Sequence, residues 1–279
     1  MKIDAHHHFW NYSAEQYPWI GENAAILKQD FLAEELVAET QGTGVQGVVS
    51  VQARESVVET EWLCELAEQS SIVKGVVGWA PFTENTMTQE LERLCASKWL
   101  KGMRAVLQGL PVEYFARDDF NNGVGQLKKF GLSYDLLILG NQLQAAIEFV
   151  DRHPDLPIIL DHIAKPTIRA EQFDQQWKTD FLELAKRPHV CCKFSGVTTE
   201  VRDPEWNTAL LKPYWETAWE AFGSQRLMFG SDWPVCLLRT GYSQWVETVS
   251  ELATSLSQSE QKAFWSENAI REYRLDVSA

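Results

Sequence analysis

LPIILDHI, residues 156–163, runs through apolar residues to Leu160 and then meets two ionisable ones, Asp161 and His162. A strand that is apolar on both faces is buried on both faces, the condition of a parallel strand covered by helices. Seven further runs of this kind occur along the chain: IDAHHHF (3–9), VQGVVSVQA (45–53), VKGVVGWAPF (73–82), LKGMRAVLQ (100–108), SYDLLIL (133–139), HVCCKFSGV (189–197) and RLMFGSDWPV (226–235).

Segments of helical spacing lie between them. TEWLCELAEQS places Trp62, Leu63 and Leu66 on one side, LQAAIEFVDRH does so with Leu143, Ile147 and Val150, and WKTDFLELAKR with Phe181, Leu184 and Ala185 ahead of Pro188. Eight strand-helix alternations in 279 residues predict an α/β fold, a closed (β/α)8 TIM barrel. No Gly/Ser/Pro-rich linker or charge block divides the chain, so residues 1–279 read as one domain. The stretch SQSEQKAFWSENAIREYRL reads as a closing helix, with Ser259 as its N-cap and Phe264, Trp265, Ala269 and Ile270 facing the barrel.

Composition narrows the function classes. With 39 acidic against 25 basic residues the net charge is −14, and no basic run interrupts it, which argues against a nucleic-acid partner. No segment approaches the ~20 apolar residues of a membrane span, and the start MKIDAHHHFW lacks a signal peptide's apolar stretch, so a cytoplasmic protein is expected. The five cysteines, Cys64, Cys95, Cys191, Cys192 and Cys236, form no CxxC pair and read as reduced, with Cys191 and Cys192 on opposite faces of a strand. Monomer and homodimer are both compatible with the sequence.

In such a barrel, chemistry belongs to the carboxyl ends of the strands. The first strand ends in His6-His7-His8, whose alternation sends His6 and His8 to one face and His7 to the other. The sixth ends in Asp161 and His162, with Lys165 in the following turn as a loop cation. The eighth ends in Ser231-Asp232-Trp233-Pro234, and an aspartate after Met228, Phe229 and Gly230 is costly to bury without hydrogen bonds, a metal or a catalytic task. Arg104 and Lys193 are cations flanked by apolar residues in strands four and seven, suited to polarising a carbonyl or holding a substrate oxygen. Of the twelve tryptophans, Trp10, Trp19, Trp79 and Trp233 lie near strand ends, and Trp233 is expected to wall the pocket.

The blocks DAHHHFW, LDHIAKP, CKFSGVTTE and GSDWPV, in this order, with the ending NAIREYRL, resemble the amidohydrolase-related sugar lactonases typified by L-fuconolactonase and L-rhamnonolactonase. The similarity runs from residue 3 to about residue 275. It implies hydrolysis of an aldonolactone of the L-fucono or L-rhamnono type, with Asp232 as general base and His162, Lys193 and Arg104 as further catalytic groups. His6, His8, Arg104, His162 and, from its place beside Asp232, Trp233 are the expected substrate-binding residues.

One divalent ion, zinc or manganese, is compatible with His6, His8 and Asp232 as ligands, and its catalytic need stays open because related lactonases are thought to act without a metal. The superfamily's two-ion pattern adds a carboxylated lysine on strand four and a histidine on strand five, and Arg104 and Asn141 stand there instead. Alternative readings are a pyrone-dicarboxylate lactonase, a metal-dependent decarboxylase of the same family, or a ligand-binding barrel without activity.

Overall fold

A computed structural model describes residues 1–277. Strands form at all eight apolar runs: β1 (Lys2–His7), β2 (Val45–Val51), β3 (Val73–Gly78), β4 (Leu100–Val106), β5 (Ser133–Leu137), β6 (Ile158–Leu160), β7 (Val190–Phe194) and β8 (Leu227–Phe229). They form one sheet in chain order, each neighbouring pair parallel. The sheet closes just past the tip of β8, where His8 donates its backbone N–H to Trp233 O at 2.7 Å and Asp232 donates to His6 O at 2.8 Å.

A helix follows each strand: α1 (Ala33–Thr40), α2 (Val57–Gln69), α3 (Met87–Leu94), α4 (Asp118–Gln126), α5 (Leu143–Asp151), α6 (Gln175–Leu184), α7 (Thr208–Arg226) and α8 (Tyr242–Leu252). This is the (β/α)8 TIM barrel. Helix starts follow local chemistry, since Ser56, Asp174 and Asn207 accept from the N–H groups of Glu59, Trp177 and Leu210 to cap α2, α6 and α7.

The apolar interior has two shells. The larger lies between strands and helices, and the smaller fills the barrel with Ile3, Ala5, Val49, Val51, Val77, Ile159, Cys191 and Met228. Cys191 belongs to the inner shell and Cys192 to the outer, as strand alternation requires. The closing segment comprises α9 (Gln258–Lys262), a π-helical turn (Ala263–Glu267) and α10 (Asn268–Glu272), after which Tyr273 and Leu275 join the inner shell.

The N-cap of that segment is Ser257 and not Ser259. Ser257 and Glu260 form a reciprocal capping box, satisfying two otherwise unpaired N–H groups, which leaves Ser259 inside the first turn. Among the described residues no helix is long and apolar enough to cross a membrane.

Candidate active site

The tip of β1 is irregular, and the irregularity decides what the site contains. Asp4 stands opposite Val48 and His7 opposite Ser50, so β1 advances three residues while β2 advances two. That extra residue is a β-bulge. Ala5 lies in the inner shell, and His6, the next residue, also faces inward, with Asp161 and Lys193 as neighbours. Beyond the bulge the alternation resumes. His7 turns to the helix layer, its Nε2 2.9 Å from Ser50 Oγ and its ring against Phe9, and His8 returns to the barrel mouth.

The hydrogen bonds of His8 and His6 determine which nitrogen each presents. His8 Nδ1 is 2.8 Å from the carbonyl of Val51, which only accepts, so Nδ1 carries the proton and Nε2 is bare. His6 Nδ1 lies 3.1 Å from Asp161 Oδ1, which by the same argument leaves its Nε2 bare. The two Nε2 atoms are 3.3 Å apart, and Asp232 Oδ1 lies 3.3 Å from that of His8 and 3.8 Å from that of His6. His8 Nε2 therefore faces two other acceptors, a cluster that a cation would satisfy. Two imidazole nitrogens and one carboxylate oxygen, all buried and mutually close, are a donor set that fits zinc or manganese.

His162 completes the ring of groups. Its own backbone and that of Ile163, Ala164 and Lys165 are left-handed, with φ of 54°, 48°, 58° and 46°, and Asp232 is left-handed at 61°. Each such non-glycine residue costs ~1–2 kcal/mol, so this run is a concentration of strain beside the site. His162 Nδ1 lies 2.8 Å from Ser195 Oγ and its Nε2 3.9 Å from Asp232 Oδ1. Ser195 is fully buried on the Nδ1 side of the ring, where its hydroxyl orients the imidazole. Gly196 follows at φ 62°, and a Cβ there would stand 2.8 Å from both Asp232 Oδ2 and His162 Nδ1.

Beneath these groups lies a buried ionic column. Arg104 donates from Nη1 to Asp161 Oδ2 at 3.0 Å, approaches His6 Nε2 at 3.3 Å, and bonds the backbone and side-chain oxygens of Gln52 through Nη2. Lys193 Nζ bonds Asp135 Oδ2 at 2.5 Å and Asp161 Oδ1 at 3.0 Å, and the hydroxyl of Tyr273 donates to Asp135 at 2.7 Å.

Burial drives His6 well below the ordinary imidazole range and His162 down to about 4, keeping both neutral. Burial pushes Asp135 up to about 6, against the pull of Lys193. Burial also disfavours the charge of Asp161, but Lys193, His6 and Arg104 outweigh it. Asp232 is likewise held below the usual carboxylate range, burial being overcome by His162, His8 and His6.

The amidohydrolase family profile matches residues 3–275, nearly the whole chain. The chain belongs to the amidohydrolase family. It is 36% identical to the L-fucono-1,5-lactonase of Burkholderia multivorans over 295 residues, covering 100% of this chain and 98% of that protein. It is 30% identical to the L-fucono-1,5-lactonase of Burkholderia ambifaria, covering 99% and 96%. A crystal structure of an amidohydrolase from Burkholderia multivorans with bound zinc is 35% identical and superposes with a TM-score of 0.94 over 99% of this chain and 100% of that one.

In this amidohydrolase a cavity of about 180 Å³ opens above the cluster. His8, His162, Asp232 and Arg104 reach it from below, Val106, Leu137 and Val235 give it apolar walls, and Trp19, Gln108 and Lys165 stand around it. The structure thus brings His6, His8, His162, Asp232 and Arg104 together. Lys193 is placed differently from the expectation that it faces a substrate: it is fully buried, below His6, and paired to two carboxylates.

Trp233 does not wall the cavity either, being 1% exposed and packed with Phe31 at 5.2 Å, because the backbone that aims Asp232 inward sends the next residue outward. Trp10 is buried against Tyr17 and Phe31, Trp79 packs in the outer shell, and only Trp19 of the four reaches the cavity.

Asp135, Ser195, Gly196 and Gln108 are part of this arrangement and were not singled out from the sequence. Asp135 carried the signal that identified Arg104 and Lys193, an ionisable residue inside an apolar strand. Ser195 and Gly196 carried none, since their roles depend on His162 and Asp232 arriving from other strands.

Proposed function

We propose that this amidohydrolase hydrolyses an aldonolactone, of the type opened by L-fucono-1,5-lactonase, to the corresponding sugar acid. The observation that carries the reading is the 36% identity to that enzyme along the entire chain, with His8, His162 and Asp232 assembled at a cavity and His6 behind them. In the reaction, Asp232, ionised in the folded protein, accepts a proton from water as its oxygen adds to the lactone carbonyl carbon. Arg104 and His162, both lining the cavity beside Asp232, address the oxygen on which negative charge develops. Collapse breaks the bond from carbonyl carbon to ring oxygen, and the proton held by Asp232 passes to that oxygen, giving a hydroxy acid.

A divalent ion held by His6, His8 and Asp232 would add positive charge next to the carbonyl and polarise it. Lys193 supports the floor through Asp161 and Asp135 in this reading. Residues 1–279 act as one domain, in the cytoplasm.

The test is a pH-indicator assay of purified protein on a panel of 1,4- and 1,5-aldonolactones, run with and without chelator, with metal content measured on each sample. The expected result is turnover of 6-deoxyhexonolactones and close analogues. Absence of turnover across the panel with zinc and with manganese supplied would overturn the reading, and release of CO2 from an aromatic acid would replace it with decarboxylation.

A further inference from the structure

The bulge in β1 needs something to hold it. Without the extra residue, strand alternation would continue from Ile3 and Ala5, both in the inner shell, to put His7 inside and His6 against the helices. The bulge reverses this, and Asp4 sits where it begins. Asp4 is fully buried, faces the helix layer, and does not touch the cavity.

Its Oδ1 accepts the backbone N–H of His6 at 3.1 Å and that of Ser231 at 2.8 Å, and its Oδ2 accepts the hydroxyl of Tyr242, the first residue of α8, at 3.0 Å. One carboxylate oxygen thus ties the displaced peptide of β1 to the backbone beyond β8. Three donors converge on this one carboxylate. The space that the redirected side chain enters is kept by Gly230, where a Cβ would lie 2.9 Å from His6 Cβ.

We propose that Asp4 is a positioning residue that holds the β1 bulge and thereby aims His6 into the His6, His8, Asp232 cluster. The metal readout of this inference rests on the proposed function, whereas its structural readout does not. Bulges beside active sites serve to re-aim side chains, and a buried group bonded to the backbone of a ligand acts on affinity through orientation.

The test compares Asp4→Ala, Asp4→Asn and Tyr242→Phe with wild type in zinc affinity, measured by competition with a chromophoric chelator, in lactonase kcat, and by crystal structure. Asparagine keeps an oxygen for both N–H groups, so Asp4→Asn is expected to restore zinc affinity to within ~3-fold of wild type, and Tyr242→Phe, which loses only the third bond, to do the same. Asp4→Ala is expected to lose ~10- to 100-fold in zinc affinity, the range found for partners that orient metal ligands. Its crystal structure should show His6 displaced from Asp161.

A purely stabilising role would lower Tm in Asp4→Ala and Tyr242→Phe alike and leave zinc affinity unchanged, which would overturn the proposal. If Asp4→Ala does not fold, Asp4→Val, which fills more of the space and has no acceptor for either N–H group, is judged by the same criteria. Wild type that binds no zinc yet opens lactones would sink the metal reading alone, and the positioning claim is then decided by kcat and by the orientation of His6. An Asp4→Ala protein, or the variant that stands in for it, whose His6 still meets Asp161 contradicts it in every case.

Discussion

Asp232 donates its backbone N–H to the carbonyl of His6 at 2.8 Å, so residues from the two ends of the barrel sheet are joined by their backbones where their side chains also meet, at 3.8 Å. Closure of the barrel and assembly of the site are therefore one event. Substitutions at this seam should separate by face: those pointing inward act on chemistry and those pointing outward act on stability.

His6→Ala and His8→Ala are expected to lower zinc affinity by more than ~10-fold and kcat by a comparable factor. His7→Ala removes the contact to Ser50 and the packing on Phe9, and is expected to cost ~1–3 kcal/mol of stability while the folded fraction keeps near-normal kcat. Chemical denaturation and steady-state kinetics on the three variants check this. A His7 variant that folds well and is inactive would show that the faces are misassigned.

Gly196→Ala tests how tightly Asp232 and His162 are placed. The left-handed φ of 62° alone disfavours alanine by ~1–2 kcal/mol, and the new Cβ would collide with both side chains at 2.8 Å. A loss of kcat near ~10²-fold is expected, the effect of a displacement of about 1 Å in reacting groups. Wild-type kcat with only a reduced Tm would mean that the two residues have room to adjust.

The fold was readable because a buried strand and an amphipathic helix differ in period, and Arg104 and Lys193 were readable as charges inside apolar runs. What those charges touch was not. Lys193 looked like a substrate contact because its partners Asp135 and Asp161 come from β5 and the tip of β6, brought near only by the pairing and curvature of the sheet. The pairing of His6 with His8 on one face followed from alternation, yet the same rule applied from Ile3 would have sent His6 outward. A bulge has no period and is invisible to such counting. Trp233 was misplaced for a related reason, since the left-handed turn at Asp232 rotates the next side chain behind the site.

Lys193→Met separates a structural cation from a catalytic one. Removing it leaves Asp135 and Asp161 buried without it, which is expected to cost ~3–5 kcal/mol, and Asp135→Asn in the same chain should recover part of that loss. Denaturant midpoints of the single and double variants provide the check. A Lys193→Met protein as stable as wild type but inactive would assign the lysine to substrate instead.

Glu59 gives a pH test away from the metal ligands. It accepts the N–H groups of Ala53 and Arg54, each at 3.0 Å, and the Tyr17 hydroxyl at 3.3 Å, joining the loops that carry the cavity residues Trp19 and Ala53. Burial pushes its carboxyl from the ordinary 4.5 up to about 7, so the folded protein holds this proton more tightly than the unfolded chain. Stability from that proton is present below about 4.5 and is lost as pH rises through about 7. Wild type should therefore lose Tm relative to Glu59→Gln between those pH values, as followed by thermal melts at each pH. Parallel Tm profiles for the two proteins would contradict the shift.

The most direct measurement is kcat on L-fucono-1,5-lactone for wild type and Asp232→Asn, purified together, with metal content and circular dichroism recorded on the same samples. The account predicts turnover by wild type and a drop of at least ~100-fold in a folded Asp232→Asn protein, the loss expected when a general base is removed. A folded Asp232→Asn protein that opens the lactone at the wild-type rate would contradict it.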